Sequence, residues 1–140
     1  MKDKDYELIE HTADIGIRIT SPTLECLFQE AALALFNIIA EKKTKRCLPR
    51  KEVRIHQKAE FLDELFVNWL NELLSLSAAK GLIFDEVEIN KITANSIDAV
   101  AVGAAIKHYL INTEIKAATY HNLKIENKGA HWQAEVIFDV

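Results

Sequence analysis

The sequence predicts an α+β domain in which two helices pack on one face of a mixed or antiparallel sheet, in the order β-α-β-α-β-β-β-β. Three observations carry this. Two stretches, one starting near Ser21 and one spanning 61–80, place apolar residues at helical spacing. The segments between and after them alternate apolar and polar residues with period two, as half-buried strands do. No repeat, low-complexity tract or linker divides the 140 residues, so 1–140 reads as one domain.

Each element has its own warrant. Residues 5 to 20 read as a strand with a bulge or kink near His11 to Asp14. In "EHTADIGIRI" and its approach the apolar phase flips: Tyr6 and Leu8 occupy even positions, whereas Ile15, Ile17 and Ile19 occupy odd ones. Asp14 stands at the flip, directly before a β-branched run suited to burial. "SPTLECLFQEAALALFNIIAEKK" then changes period, with Leu24, Leu27, Phe28, Ala31, Leu35 and Ile38 on one helical face. Ser21 or Thr23 is its cap, Pro22 suits its first turn, and Lys42 and Lys43 are expected to complement the C-terminal dipole.

"KEVRIHQKA" alternates Val53, Ile55 and Gln57 against charges and forms the second strand. Residues 61–80 form the strongest helix, with Phe61, Leu62, Leu65, Trp69, Leu73 and Leu76 on a broad face and Gly81 to end it. "LIFDEVEINKIT" and "SIDAVAVGAAI" turn across Ala94 and Asn95 as a hairpin. "GAAIKHYLIN", 103–112, leaves room for a helical turn. "TEIKAATYHNLKIE" and "HWQAEVIFDV" flank "NKG", where Gly129 can take positive φ in a second hairpin.

Composition narrows the function classes. Hydrophobic residues at 49% and charged residues at 27% are ordinary for a globular protein. No apolar run reaches membrane-helix length and "MKDKDYEL" has no signal-peptide core, so a cytoplasmic protein is expected. Cys26 and Cys47 fit neither a metal spacing nor a disulfide framework. A net charge of −4 argues against a dedicated nucleic-acid surface. Within it, "EKKTKRCLPRK" sets Lys42, Lys43, Lys45, Arg46, Arg50 and Lys51 against Glu41 alone, either to touch phosphates or an acidic partner or as a solvated connector.

The chemistry-bearing residues lie near the ends of the chain. In "WQAEVIFDV", Trp132, Ala134, Val136, Phe138 and Val140 share one face, and Asp139 lies on the other with Glu135. If the first and last strands are neighbours, Asp14 and Asp139 converge, and two such carboxylates repel unless a hard, oxygen-seeking cation lies between them. Two unrelated surface aspartates are the alternative, which composition alone favours. In "TEIKAATYHNL", Lys116 shares a face with Ala118 and Tyr120, and His121 faces the other way. Lys116 then either projects an ammonium towards phosphate or a carboxylate, or belongs to a solvated face. His121 is a candidate metal ligand or general base, but with no second histidine at metal spacing a satisfied structural histidine is the expectation. No P-loop, dinucleotide turn, Cys–His pair or HExxH motif is present, which weakens any stand-alone enzyme reading.

"EHTADIGIRI", "TLECLFQEAALALFNII", "FLDELFVNWLNELLSL", "EIKAATYHNL" and "AEVIFDV", in that order over nearly the whole chain, resemble the archease family. The resemblance implies a non-enzymatic activator of the GTP-dependent ligase that joins tRNA exon halves and other broken RNAs. It further implies that the activator promotes guanylylation of the ligase's active-site histidine and multiple turnover. A divalent metal, usually calcium, would be held by Asp14, Asp139 and an oxygen of Val140, and Lys116 would be the essential lysine. RNA would be reached through the ligase, with neither membrane nor DNA as a partner. The chain departs from the family pattern in "GAAIKHYLIN", which offers only Lys107 and His108 where members often carry acidic residues and a histidine. It departs again at Asn37, where an aspartate is common. The alternatives are a small metal-dependent phosphohydrolase using the same carboxylates and a general interaction or chaperone module.

Overall fold

The protein, as a computed structural model, is described at residues 6–10 and 14–140. In chain order its elements are β1 Glu7–Glu10, β2 Asp14–Ser21, α1 Leu24–Ile39, β3 Ala40–Lys42, β4 Lys51–Lys58 and α2 Leu62–Lys80. There follow β5 Leu82–Ile92, β6 Ser96–Ala105, a 3-10 turn at Ile106–His108, β7 Tyr109–Ile111, β8 Ala117–Asn127 and β9 Trp132–Asp139. Every strand pair is antiparallel. The α+β class is the predicted one, but the strands divide into three sheets, ordered β1-β2-β9-β8, β3-β7 and β4-β6-β5.

The helices explain that division. α1 packs on β2 and β9 of the first sheet and on β5 of the third, while α2 packs on β8 and on β4, β5 and β6. A helix covered on two sides buries more than one stripe. In α1, Ala32, Ala34 and Phe36 are accordingly buried beside the predicted Leu27, Phe28, Ala31 and Leu35. The rings of Phe28 and Phe66 meet edge-to-face at 5.1 Å, joining the two helices.

The phase flip near the N-terminus has a specific cause. Leu8 lies opposite Ile17, and Ile9 opposite Gly16. Directly opposed residues share a face, so even positions on β1 match odd positions on β2. The chain reverses between Glu10 and Asp14, where a single kinked strand was expected, and residues 11–13, on which the expected bulge falls, lie outside the described residues.

Thr23 caps α1, its Oγ1 accepting the Cys26 N–H at 3.1 Å. The helix ends at Ile39 with no basic residue in its last turn, because Ala40 turns into β3 opposite Ile111. Lys42 and Lys43 therefore do not complement its dipole as predicted. α2 ends as predicted, with Gly81 left-handed at φ 64° and its N–H donated to the Ser77 carbonyl. Both hairpin turns stand as predicted: the Thr93 N–H donates to the Ser96 carbonyl at 2.9 Å, and Gly129 adopts φ 92°.

Gly103, on the central strand β6, faces the irregular stretch of β5. A Cβ there would sit 2.2 Å from the Ile83 carbonyl oxygen and 2.8 Å from its carbon. Backbone cannot swing aside as a long side chain can, so Gly103→Ala should separate the strands and cost about 1–3 kcal/mol. A chemical-denaturation midpoint equal to the wild type's would show that the pair yields without cost.

Candidate functional site

β9 runs down the middle of the first sheet, between β2 and β8. Alternation buries Ile17, Ile19, Ala134, Val136 and Phe138 against the helices. It leaves Asp14, Arg18, Glu135 and Asp139 on the opposite face. The register sets Asp14 directly across from Asp139, and Ala117 on Asp139's other side. Opposed Cβ atoms in such pairs lie about 4.5–5.5 Å apart, so the two carboxylates spring from adjacent points. Lys116 immediately precedes β8, and its N–H donates to the Asp139 carbonyl at 2.8 Å. Asp14 is half-buried, whereas Asp139, Val140 and Lys116 are exposed. All four predicted site residues thus gather at one end of one sheet.

The donor set suits a hard cation. Two carboxylates and an oxygen of Val140 are all-oxygen ligands, the kind calcium takes. Among the described residues, no three His, Cys, Asp or Glu side chains cluster as a metal centre. For such an ion the protein here would supply two carboxylates, and the rest of a coordination shell would fall to main-chain oxygens, water or a partner. The Lys116 ammonium, a donor only, cannot ligate. Among the described residues it forms no ion pair.

Glu135 shares the outer face but is already occupied. Arg18 bridges it at 2.6 Å and Glu7 at 2.9 Å, a surface ladder that leaves Glu135 outside the tip. Asn37 likewise has another task, donating its amide to the Tyr6 hydroxyl at 2.9 Å and tying α1 to the start of β1.

The sequence reading missed Asn71. Its side-chain oxygen accepts the Ala118 N–H at 2.7 Å, and its amide donates to the Ala118 carbonyl at 3.2 Å. α2 thereby satisfies both main-chain groups of an edge-strand residue, as a neighbouring strand would. That anchor lies two residues from Lys116. The available signal was an amide in the middle of "WLNELL", among residues otherwise judged by their apolar face. Asn71→Ala leaves both Ala118 groups unpaired and should cost about 1–3 kcal/mol, with faster hydrogen exchange concentrated at Ala118. Unchanged exchange at that amide would show that the anchor is dispensable.

The expected face shared by Lys116, Ala118 and Tyr120 does not hold. Ala118 is buried, and the β8–β9 register breaks between Thr119 and Lys124. Only Val136 faces that interval, so Tyr120 to Leu123 bulge outwards, with Asn122 at φ 53°. Tyr120 and His121 are exposed on the bulge. The Tyr120 hydroxyl is pushed above the ordinary tyrosine range, by burial first and then by Glu64 and Asp63 in the first turn of α2. Cys26 and Cys47 are both free thiols.

Comparison with known proteins gives a consistent picture. The family model described as the archease protein family matches residues 6–140. A protein archease from Methanosarcina barkeri is 37% identical over 143 residues, spanning 98% of this chain and 97% of its own. One from Pyrococcus abyssi is 37% identical over 144 residues, spanning 98% and 99%. The solution structure of a Methanobacterium thermoautotrophicum protein superposes with a TM-score of 0.74 at 26% identity, covering 99% of this chain and 100% of its own. A crystal structure from Thermotoga maritima, described as an archease and possible chaperone, gives 0.66 at 29% identity, covering 94% of each chain.

Proposed function

This chain belongs to the archease family, and from that premise we propose that it is an accessory protein activating a GTP-dependent RNA ligase. It promotes guanylylation of the ligase's active-site histidine and so multiple turnover, on tRNA halves or other broken RNAs. The observation that supports this best is the facing of Asp14 and Asp139 across β2 and β9, with Lys116 docked on the Asp139 carbonyl. A divalent ion, calcium by its ligand preference, would be held by Asp14, Asp139 and an oxygen of Val140. When bound, it supplies positive charge that attracts and orients phosphate oxygens.

The chain's own residues do the placing. The buried strand faces and the Asn71 anchor fix the ends of β2, β8 and β9, so both carboxylates project together from a rigid base. Lys116, on the exposed start of β8, neutralises phosphate or pairs with a carboxylate of the partner. The site of action is the cytoplasm, with RNA met through the ligase and neither DNA nor membrane as a partner. Among the described residues no helix is long and apolar enough to cross a membrane.

The test is ligase turnover with and without this protein, counting guanylylated ligase and joined RNA per ligase molecule. Turnover beyond a single round should require the protein. Equal turnover in its absence overturns the reading. The protein alone should neither join, cleave nor dephosphorylate RNA. Robust metal-dependent activity in ligase-free material would instead establish the phosphohydrolase.

A further inference from the structure

The second prominent surface lies where β3 meets β7. Glu41 pairs with Leu110 and Lys42 with Tyr109, and the Lys43 N–H continues the ribbon by donating to the His108 carbonyl at 2.9 Å. Ile106, Leu110 and Ile111 are 45%, 50% and 44% exposed, a concentration of aliphatic surface on one short segment. Beside it runs the basic stretch 42–51, which is not a loose connector. Leu48 is buried in the core, and Arg50 holds Asp85 through two hydrogen bonds, one of 2.9 Å. The Tyr109 hydroxyl adds a longer contact to the same carboxylate at 3.4 Å.

These anchors leave Lys42, Lys43, Lys45, Arg46, Lys51 and Lys107 without an ion pair among the described residues. A chain of net charge −4 thus concentrates unpaired cations, with Glu41 among them, on an anchored stretch beside exposed aliphatics. Beside the ribbon opens a cavity of about 320 Å³, lined by Leu33, Phe36, Ile83 and Phe84 and by the charged groups Lys42, Glu30, Glu41 and Asp85, of which Glu30 accepts from the Ser21 hydroxyl and Asp85 is held by Arg50. That volume accommodates a large apolar side chain, the usual anchor of a protein interface.

The ribbon is also tied to the carboxylate tip. The N–H groups of Asn112 and Thr113 both donate to the Ile39 carbonyl, at 2.8 and 3.2 Å, and three residues later Lys116 reaches Asp139. Lys116 lies five Cα steps beyond Ile111, which at full extension is at most about 18 Å.

We infer that the β3–β7 ribbon, its cavity and the 42–51 stretch form a docking face for an acidic segment of the partner protein, carrying one large apolar side chain into the cavity. The unpaired cations of 42–51 and Lys107 select acidic residues flanking the anchor, the carboxylates lining the cavity require the anchor itself to be apolar, and the aliphatic surface and cavity select protein over nucleic acid. Base stacking needs exposed aromatics, and the one aromatic of the ribbon, Tyr109, is buried. Docking here supplies affinity and orientation, while the tip acts on the partner's active site.

The inference rests on the ligase reading, and one titration separates the two. Wild type, Leu110→Ser/Ile111→Ser and Lys43→Glu/Lys45→Glu/Arg46→Glu are titrated into a fixed amount of the GTP-dependent RNA ligase, after circular dichroism confirms each is folded. Each variant should raise the half-maximal concentration by roughly tenfold or more and leave the plateau unchanged. Added salt should weaken the wild type and affect the charge-reversed variant much less. Unchanged half-maximal concentrations overturn the docking face but not the ligase reading. A wild type that gives no stimulation overturns that reading, and the docking face with it, before any variant is compared. Binding of a single-stranded RNA oligonucleotide that charge reversal abolishes, with no effect of the apolar pair on the titration, overturns the protein occupant in favour of RNA.

Discussion

Trp69→Ala is expected to cost about 3–5 kcal/mol of folding stability, the usual loss for a fully buried tryptophan. The side chain is 0% exposed, and its indole N–H donates to the Phe28 carbonyl at 2.9 Å, so it both fills space and pins α1 to α2. Truncation leaves a cavity between helices that each support both larger sheets, where collapse of one wall is opposed by the other. Domains of this size are stable by only about 5–15 kcal/mol, so the variant should melt far below the wild type. Trp69→Phe keeps much of the ring and loses the N–H bond, and should cost far less. Because Asn71 sits two residues further along α2, ligase activation should fail in parallel with folding. Denaturation followed by far-ultraviolet circular dichroism reads the loss. A wild-type midpoint for Trp69→Ala would show that the indole is not part of the core.

What sequence could and could not foretell follows from how far each signal reaches along the chain. The helices were legible because a 3.6-residue period persists across four or five turns, and Gly81 marks its own left-handed position. The parity change at "HTAD" was legible too, but a one-residue insertion and a reversal with an odd-sum register both produce it, and pairing of Leu8 with Ile17 decides for the reversal. β3 and β7, three residues each, are too short to carry a period. Their pairing also decides where α1 stops, so the lysines beyond it could not be placed from charge alone. The bulge at Tyr120 to Leu123 has no glycine, and its one hint was Asn122, a residue that tolerates positive φ. Asp14 and Asp139 each stood out locally. Their convergence depends on β2 and β9 being neighbours, a contact between the two ends of the chain that no local pattern encodes.

Asp14→Ala and Asp139→Ala should each abolish ligase activation while leaving the protein folded. Neither carboxylate makes a hydrogen bond or ion pair among the described residues, and both lie outside the core cluster, so truncation removes no packing that holds the fold. Like charges directly opposed on neighbouring strands are destabilising. Without metal, either variant should therefore melt at or slightly above the wild-type temperature. Calcium should reverse the order. The wild type should gain stability with the ratio of free calcium to its dissociation constant, about 2.7 kcal/mol at a hundredfold excess, and the variants should gain none. Lys116→Ala keeps the main-chain bond to Asp139 and both carboxylates, so it should lose activation yet retain the full calcium shift. This pairing of readouts separates metal holding from partner contact, because the first moves melting temperature and activity together and the second moves activity alone. If Asp14→Ala still sustains many rounds of guanylylation and ligation, the facing carboxylates are not the working end of the molecule, and a general interaction module becomes the better description.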